Sequence, residues 1–208
     1  MIFFDFINLI EKLQEKQLGG LPSQFKLAPK LRTRFSEELI QSRKPKKAAV
    51  LALFYPDSNN QTRFLLTERA SYNGAHSSQI SFPGGKFDKI DNNLQTTALR
   101  ETYEEVGVPS ETIQIIRQTS DAYIPPSNFL VAPFIGISEV TPFFTPNDEV
   151  AGIIEVLLTD LLDDSNVTSI EMETSYMKNI EVPCFKLNDY IVWGATAMML
   201  SEIKDLFK

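Results

Sequence analysis

Arg100, Glu101, Glu104 and Glu105 are the residues of this sequence best equipped for chemistry. On a helix the three glutamates stand at i, i+3 and i+4, so their carboxylates share one face. Like charges so placed destabilise a helix by roughly a few tenths of a kcal/mol per pair, and Arg100, at i,i+4 from Glu104, offsets only part of that. A divalent cation turns the repulsion into coordination. Mg²⁺ takes oxygen ligands in octahedral geometry, keeps several waters and bridges carboxylates to substrate phosphates. A solvated acidic helix face is the competing reading of this segment alone. Upstream, Phe82-Pro83-Gly84-Gly85-Lys86 enters a loop, with fourteen residues between Gly85 and Arg100. Two glycines permit backbone conformations and close approaches closed to other residues.

Composition narrows the chemistry further. His76 is the only histidine, which removes metal sites built on several imidazoles and leaves carboxylates as the abundant ligands and acid/base groups. Cys184 is the only cysteine, so neither an internal disulfide nor a structural zinc site is expected, and a reducing, cytoplasmic setting fits. A net charge of −7 repels phosphate backbones, so no nucleic-acid partner is expected. The opening MIFFDFINLI lacks a basic n-region, contains Asp5 and continues into EKLQEK without a cleavage site, so export is not expected. Phe3, Phe6, Ile7, Ile10 and Leu13 instead follow one face of a docked helix. No window reaches the roughly 18 apolar residues of a membrane span, so no membrane partner is expected.

The elements that must position the glutamates follow from pattern. With 208 residues and 43% hydrophobic content, the chain can bury the core of one domain with terminal decorations. Residues 1–44 read as an N-terminal helix and a Gly- and Pro-punctuated connector packed on a domain over 45–208. Lys44, Lys46 and Lys47 belong to a basic run that reads as a solvated face, with phosphate contact as the alternative. AAVLALFY (48–55) and TRFLLTER (62–69) read as a hairpin of buried strands, and residues 70–83 lack clear periodicity. TTALRETYEEVGV reads as a helix that packs through Ala98, Leu99, Tyr103 and Val106, with Gly107 as its C-terminal cap. IQIIRQTSDAYI, VAPFIGIS and GIIEVLLT are β-like, DLLDD begins another helix, and ATAMMLSEIKDLF closes as an amphipathic one. The fold class is α/β or α+β, a sandwich with a mixed sheet.

The loop and helix resemble the Nudix box, G-x5-E-x7-R-E-U-x-E-E-x-G-U with U aliphatic. Arg100-Glu101, Glu104-Glu105, Gly107 and Val108 match it, and Thr102 stands at the first U. The spacing from Gly85 to Arg100 has one residue more than the family's, and Asp91, with Asn92 beside it, fills the acidic position approximately. Leu65-Leu66-Thr67-Glu68-Arg69-Ala70 followed by Phe82-Pro83-Gly84-Gly85 is similar to LLT-x-R-[SA]-x3-R-x3-G-x3-FPGG of the Nudix coenzyme A pyrophosphatases. Gly74 replaces that pattern's Arg and Ser78 its Gly. Val131 to Phe134, Asp148-Glu149-Val150 and Trp193 to Ala197 extend the resemblance over roughly residues 45–205.

What the resemblance implies is a Nudix α/β/α sandwich with a mixed central sheet and the metal-binding helix on one face. It further implies cleavage of coenzyme A at its pyrophosphate, a small-molecule nucleotide substrate, and Mg²⁺ or Mn²⁺ as cofactor. Glu101, Glu104 and Glu105 become the metal ligands, with the carbonyl of Gly85 as a further one. Arg100 orients the cluster by pairing with a glutamate, and Glu149 is a candidate base or additional ligand. Arg69, Lys86 and His76 are the candidate substrate contacts, while Trp193 and Cys184 are read as packing. A homodimer is left open. Hydrolysis of ADP-ribose, NADH or a nucleoside triphosphate is the rival reading, and a non-catalytic ligand-binding module the next.

Overall fold

In this computed structural model, which describes residues 1–30, 32–70, 79–174 and 177–208, the hairpin and the acidic helix are neighbours in one layered unit. The chain begins with α1 (Phe3–Glu15), α2 (Gly20–Gln24) and α3 (Glu37–Ser42). It continues through β1 (Lys46–Pro56), β2 (Thr62–Arg69), β3 (Ile80–Ser81), β4 (Gly84–Lys86) and α4 (Leu94–Val106). Then come β5 (Gln114–Gln118), β6 (Ala122–Ile124), β7 (Phe129–Ile137), β8 (Val150–Leu157) and α5 (Leu158–Leu162). The chain closes with β9 (Val167–Thr174), β10 (Met177–Leu187), β11 (Tyr190–Trp193) and α6 (Gly194–Phe207).

The central sheet runs β3-β2-β1-β7-β5, with β4 and β6 added on β1 and β7 and β8 on β2. β1 and β7 are parallel while β2, β4 and β8 pair antiparallel, which makes the sheet mixed as expected. β1 has no polar face because both of its faces are covered. Ala49, Leu51, Leu53 and Tyr55 pack with Ala98 and Val106 of α4, whereas Ala48, Ala52 and Phe54 pack on the other face with α1 and α6. Along the edge of this arrangement, β4 lies against the first half of β1 and under α4.

Three expectations are corrected. Tyr103 is exposed, and the face of α4 turned to the sheet carries Thr97, Ala98, Thr102 and Val106. Thr102 is tolerated there because its hydroxyl donates to the Ala98 carbonyl at 2.7 Å, leaving its methyl to pack. DLLDD ends a short helix instead of beginning one, since α5 stops at Leu162. α6 is not half-solvated. A second sheet, β11-β10-β9, together with α2 and α5, closes around it, and Glu202 and Lys204 are buried. Glu202 accepts from the Gly20 N–H at 2.8 Å, the Ser120 hydroxyl at 2.7 Å and the Gln24 amide at 3.1 Å, so a charged residue occupies an interior helix face with its oxygens satisfied.

Candidate active site

α4 is a 13-residue helix defined at both ends by its own sequence. Asn93 caps the start by accepting from the Thr96 N–H at 2.9 Å, and Gly107 ends it in the left-handed region at φ 76°, donating to the Tyr103 carbonyl at 2.9 Å. Two more of its terminal carbonyls are satisfied from a distant loop. Thr145 N–H donates to the Val106 carbonyl at 2.9 Å and Asn147 N–H to the Glu105 carbonyl at 3.0 Å. The last two turns, which carry the glutamates, are thereby held to the sheet and to the loop before β8.

Arg100 is the hub of the cluster. Its Nη1 pairs with Glu101 Oε1 and Glu104 Oε2, each at 2.9 Å. Its Nε and Nη2 reach Asp91 Oδ1 and Oδ2 at 2.9 and 3.0 Å, and Nη2 also donates to the Lys86 carbonyl at 3.3 Å. Asp91 is nearly inaccessible, with 1% of its side chain exposed, and accepts further bonds from the Thr97 hydroxyl at 2.8 Å and the Asp88 N–H at 3.1 Å. The Arg100 guanidinium holds the Asp91 carboxyl down at about 2. The acid read from the sequence as an approximate match is thus the bidentate anchor of Arg100.

Gly84 and Gly85 fit the glutamates from the β4 side. Gly84, at φ 151°, donates its N–H to Glu105 Oε2 at 3.1 Å. A Cβ on Gly85 would overlap the Glu101 carboxylate, so the bare Cα leaves that carboxylate room to sit against β4. Burial pushes the Glu105 carboxyl up to about 7, the Gly84 N–H opposes this, and Glu101 and Glu149 add repulsion. Burial also raises Glu101, with Arg100 pulling against it.

Glu149 is brought to this cluster by backbone bonds on either side. Its N–H donates to Asn147 Oδ1 at 2.9 Å, and its carbonyl accepts from the Ala70 N–H at 2.8 Å, next to Arg69 at the end of β2. Arg69 is exposed and close enough that its charge lowers Glu105. Lys86 is exposed and contributes its carbonyl, while Trp193 is half-buried in β11 and Cys184 is fully buried. In the basic run Lys46 lies over the Phe129 ring at 5.7 Å and Arg43 over the Phe35 ring at 4.5 Å, while Lys44 and Lys47 are exposed. His76, Gly74 and Ser78 lie outside the described residues. Sequence reasoning missed Asn147 and the N–H of Gly84; an Asn two residues before a carboxylate of interest is the signal for the first.

The donor set suits a hard divalent cation, being all oxygen and mutually repulsive. Among the described residues no group of three such side chains forms a ready cage. Mg²⁺ needs none, because it usually takes one or two carboxylates and completes its shell with waters and substrate phosphates. No helix among the described residues is long and apolar enough to cross a membrane.

Comparison with known proteins agrees with this geometry. The NUDIX domain family model matches residues 45–174. Relatives described as the uncharacterized Nudix hydrolase NudL, from Yersinia pestis (strain Pestoides F) and Yersinia pseudotuberculosis serotype O:1b (strain IP 31758), are each 32% identical over 140 residues, 67% of this chain and 69% of theirs. Among solved structures, the Nudix hydrolase RenU from M. smegmatis superposes with a TM-score of 0.56 at 16% identity, over 87% of this chain and 92% of that one. A MutT/nudix family protein from Enterococcus faecalis gives 0.52 at 14% identity, over 96% and 72%. These two likenesses bear on the fold. Nudix hydrolases generally use divalent metal ions, which is the class of ion the carboxylate cluster fits. The family match over more than half the chain, together with the Arg100-centred glutamate helix under a double glycine, identifies this protein as a member of the Nudix hydrolase family, a pyrophosphohydrolase of nucleoside diphosphate derivatives.

Proposed function

We propose that this enzyme hydrolyses the pyrophosphate bond of coenzyme A or a derivative, giving 4′-phosphopantetheine and adenosine 3′,5′-bisphosphate. The observation that carries the reading is the pairing of Leu65–Ala70 with Phe82–Gly85. The two halves of that pattern converge on the glutamates: β3 pairs with Thr67 and Glu68, Gly84 holds Glu105, and Arg69 acts on the same carboxylate. Glu101, Glu104 and Glu105, with the Gly85 carbonyl, would hold Mg²⁺ or Mn²⁺, which neutralises the diphosphate and lowers the pKa of water. Arg100, fixed by Asp91, keeps Glu101 and Glu104 in register. Glu149 accepts the proton of the attacking water. Arg69 and Lys86 contact the phosphates, and His76 is a further candidate substrate contact. A cytoplasmic location fits the single buried thiol, and a homodimer is compatible with the sequence.

Gly74 and Ser78 favour a second reading. A lost arginine removes a planar donor fork suited to phosphate, so ADP-ribose or NADH remains the alternative substrate class. A ligand-binding module without turnover ranks below both, because a dead site gains nothing from three repelling glutamates. The test is chromatographic product analysis with coenzyme A, ADP-ribose and NADH in parallel, each with Mg²⁺, Mn²⁺ or EDTA. Metal-dependent adenosine 3′,5′-bisphosphate is expected, with Glu101→Gln folded and inactive. Cleavage of only the other diphosphates would overturn the coenzyme A assignment, and undiminished turnover by Glu101→Gln would overturn the metal assignment.

A further inference from the structure

Asn147 is itself neither a proposed metal ligand nor a proposed substrate contact, yet three of its polar groups lie at the junction between the glutamate helix and Glu149. Its N–H donates to the Glu105 carbonyl at 3.0 Å, its Oδ1 accepts from the Glu149 N–H at 2.9 Å, and its carbonyl accepts from the Val150 N–H at 3.2 Å. The same residue therefore satisfies a terminal carbonyl of α4 and folds the chain into an Asx turn that presents Glu149. Thr145 makes the neighbouring bond to Val106 at 2.9 Å, and Ala70 holds the Glu149 carbonyl at 2.8 Å. Glu149 is exposed, so little apolar packing fixes it; its place relative to Glu105 is set by these backbone bonds.

We propose that Asn147 is a positioning residue for turnover: it registers Glu149 against the metal-binding helix, so that the base and the glutamates move as one unit. The proposal rests on the reading of Glu149 as the proton acceptor. It accounts for a side-chain acceptor oxygen at this position. An apolar residue at 147 keeps the backbone bond to Glu105 but leaves the Glu149 N–H without its acceptor, and the turn relaxes. A displacement of about 1 Å at a reacting group costs up to roughly a hundredfold in rate, so even partial relaxation is measurable.

The experiment is a double-mutant cycle on Asn147→Ala and Glu149→Gln, assayed with Mg²⁺ on coenzyme A, or on ADP-ribose if that is the diphosphate cleaved. Asn147→Ala is expected to lower kcat by roughly tenfold with KM little changed, and to add less than about twofold in the Glu149→Gln background. Asn147→Asp, which keeps the acceptor oxygen, is expected to stay within about threefold of the parent. Should Asn147→Ala melt below the assay temperature, Asn147→Ser, a weaker acceptor, is read in the same cycle with the same expectation. If Glu149→Gln is impaired but the Asn147 variants keep full activity, or their losses multiply in the double mutant, Asn147 has no registering role and the reading of Glu149 stands. If Glu149→Gln turns over at the parental rate, the reading of Glu149 fails and this proposal fails with it.

Discussion

Asp91 is one methylene shorter than the glutamate of the family pattern, and eight residues instead of seven separate it from Arg100. The extra residue accompanies the shorter acid, and the bidentate pair closes at 2.9 and 3.0 Å. Breaking a buried ion pair by removing one partner typically costs about 3–5 kcal/mol, because the other charge is left uncompensated. Arg100 retains Glu101 and Glu104, so Asp91→Asn is expected at the low end, near 3 kcal/mol by urea unfolding; a loss under about 1 kcal/mol would contradict the anchor role. The pH dependence has two opposed contributions. The Asp91 carboxyl is depressed from 3.8 to about 2, so its contribution is present above 3.8 and is lost as the pH falls toward 2. The Glu105 carboxyl is raised from 4.5 to about 7, so between those values the native state holds the extra proton, and its contribution declines as the pH rises through the window. Metal-free protein in EDTA should lose stability from about pH 4.5 to about 7, and Glu105→Gln should flatten that decline. An unchanged slope in the variant would assign the titration elsewhere. The glutamates were legible because one helix turn sets their spacing, whereas the Asp91 anchor and the Gly84 N–H depend on the path of a loop and on a strand edge that no local pattern encodes.

At the scale of elements, the site is a contact between a strand of glycines and a helix of glutamates, and the two glycines fail differently. A Cβ on Gly84 meets the Ala49 carbonyl and Val50 Cα, which are backbone, and the φ of 151° is strained for any other residue. A Cβ on Gly85 meets only the end of the Glu101 side chain, which can rotate away. Gly84→Ala should therefore lower the melting temperature sharply. Gly85→Ala should melt within about 3 °C of the parent, a shift worth under about 1 kcal/mol, yet lose at least roughly tenfold in metal-dependent kcat/KM. Equal melting losses in both variants would remove the distinction. The helix, its cap at Gly107 and the hairpin were readable from period and punctuation. Tyr103 was misplaced because it carries the bulk expected of a packing residue, while Thr102, one position earlier, makes itself compatible with the interface by bonding Ala98. β9 and β10 carry mixed polar and apolar residues without clean alternation, and β11 is a run of only four residues, so the second sheet was not anticipated.

Across the whole molecule, the face of the central sheet away from α4 is closed by segments from the two ends of the sequence. Phe6 of α1 is fully buried between Phe54 of β1, at 5.2 Å between ring centroids, and Phe207 of α6, at 5.6 Å. Arg117 of β5 fastens the end of α1 by donating to the Leu13 and Lys16 carbonyls at 2.5 and 2.7 Å. This is why the amphipathic pattern of α6 does not leave it half-solvated: its polar side chains face α2, the Ser120 loop and the Asp163 turn, partners defined only by the tertiary fold. The glutamate helix α4 lies on the opposite face, against a separate set of core residues. Phe6→Ala removes a ring from the centre of the first set and should cost about 3–5 kcal/mol, whereas Phe6→Leu, which refills most of the volume, should cost less. Because α4 and β4 take no part in that cluster, kcat and the metal requirement of Phe6→Ala should match the parent at temperatures where the variant is folded. Thermal unfolding together with steady-state turnover at 15 °C measures both. A fall in kcat beyond about threefold in folded Phe6→Ala would show that the two faces of β1 are energetically coupled, so that the amino-terminal helix sets the geometry of the glutamate site as well as the stability of the sheet beneath it.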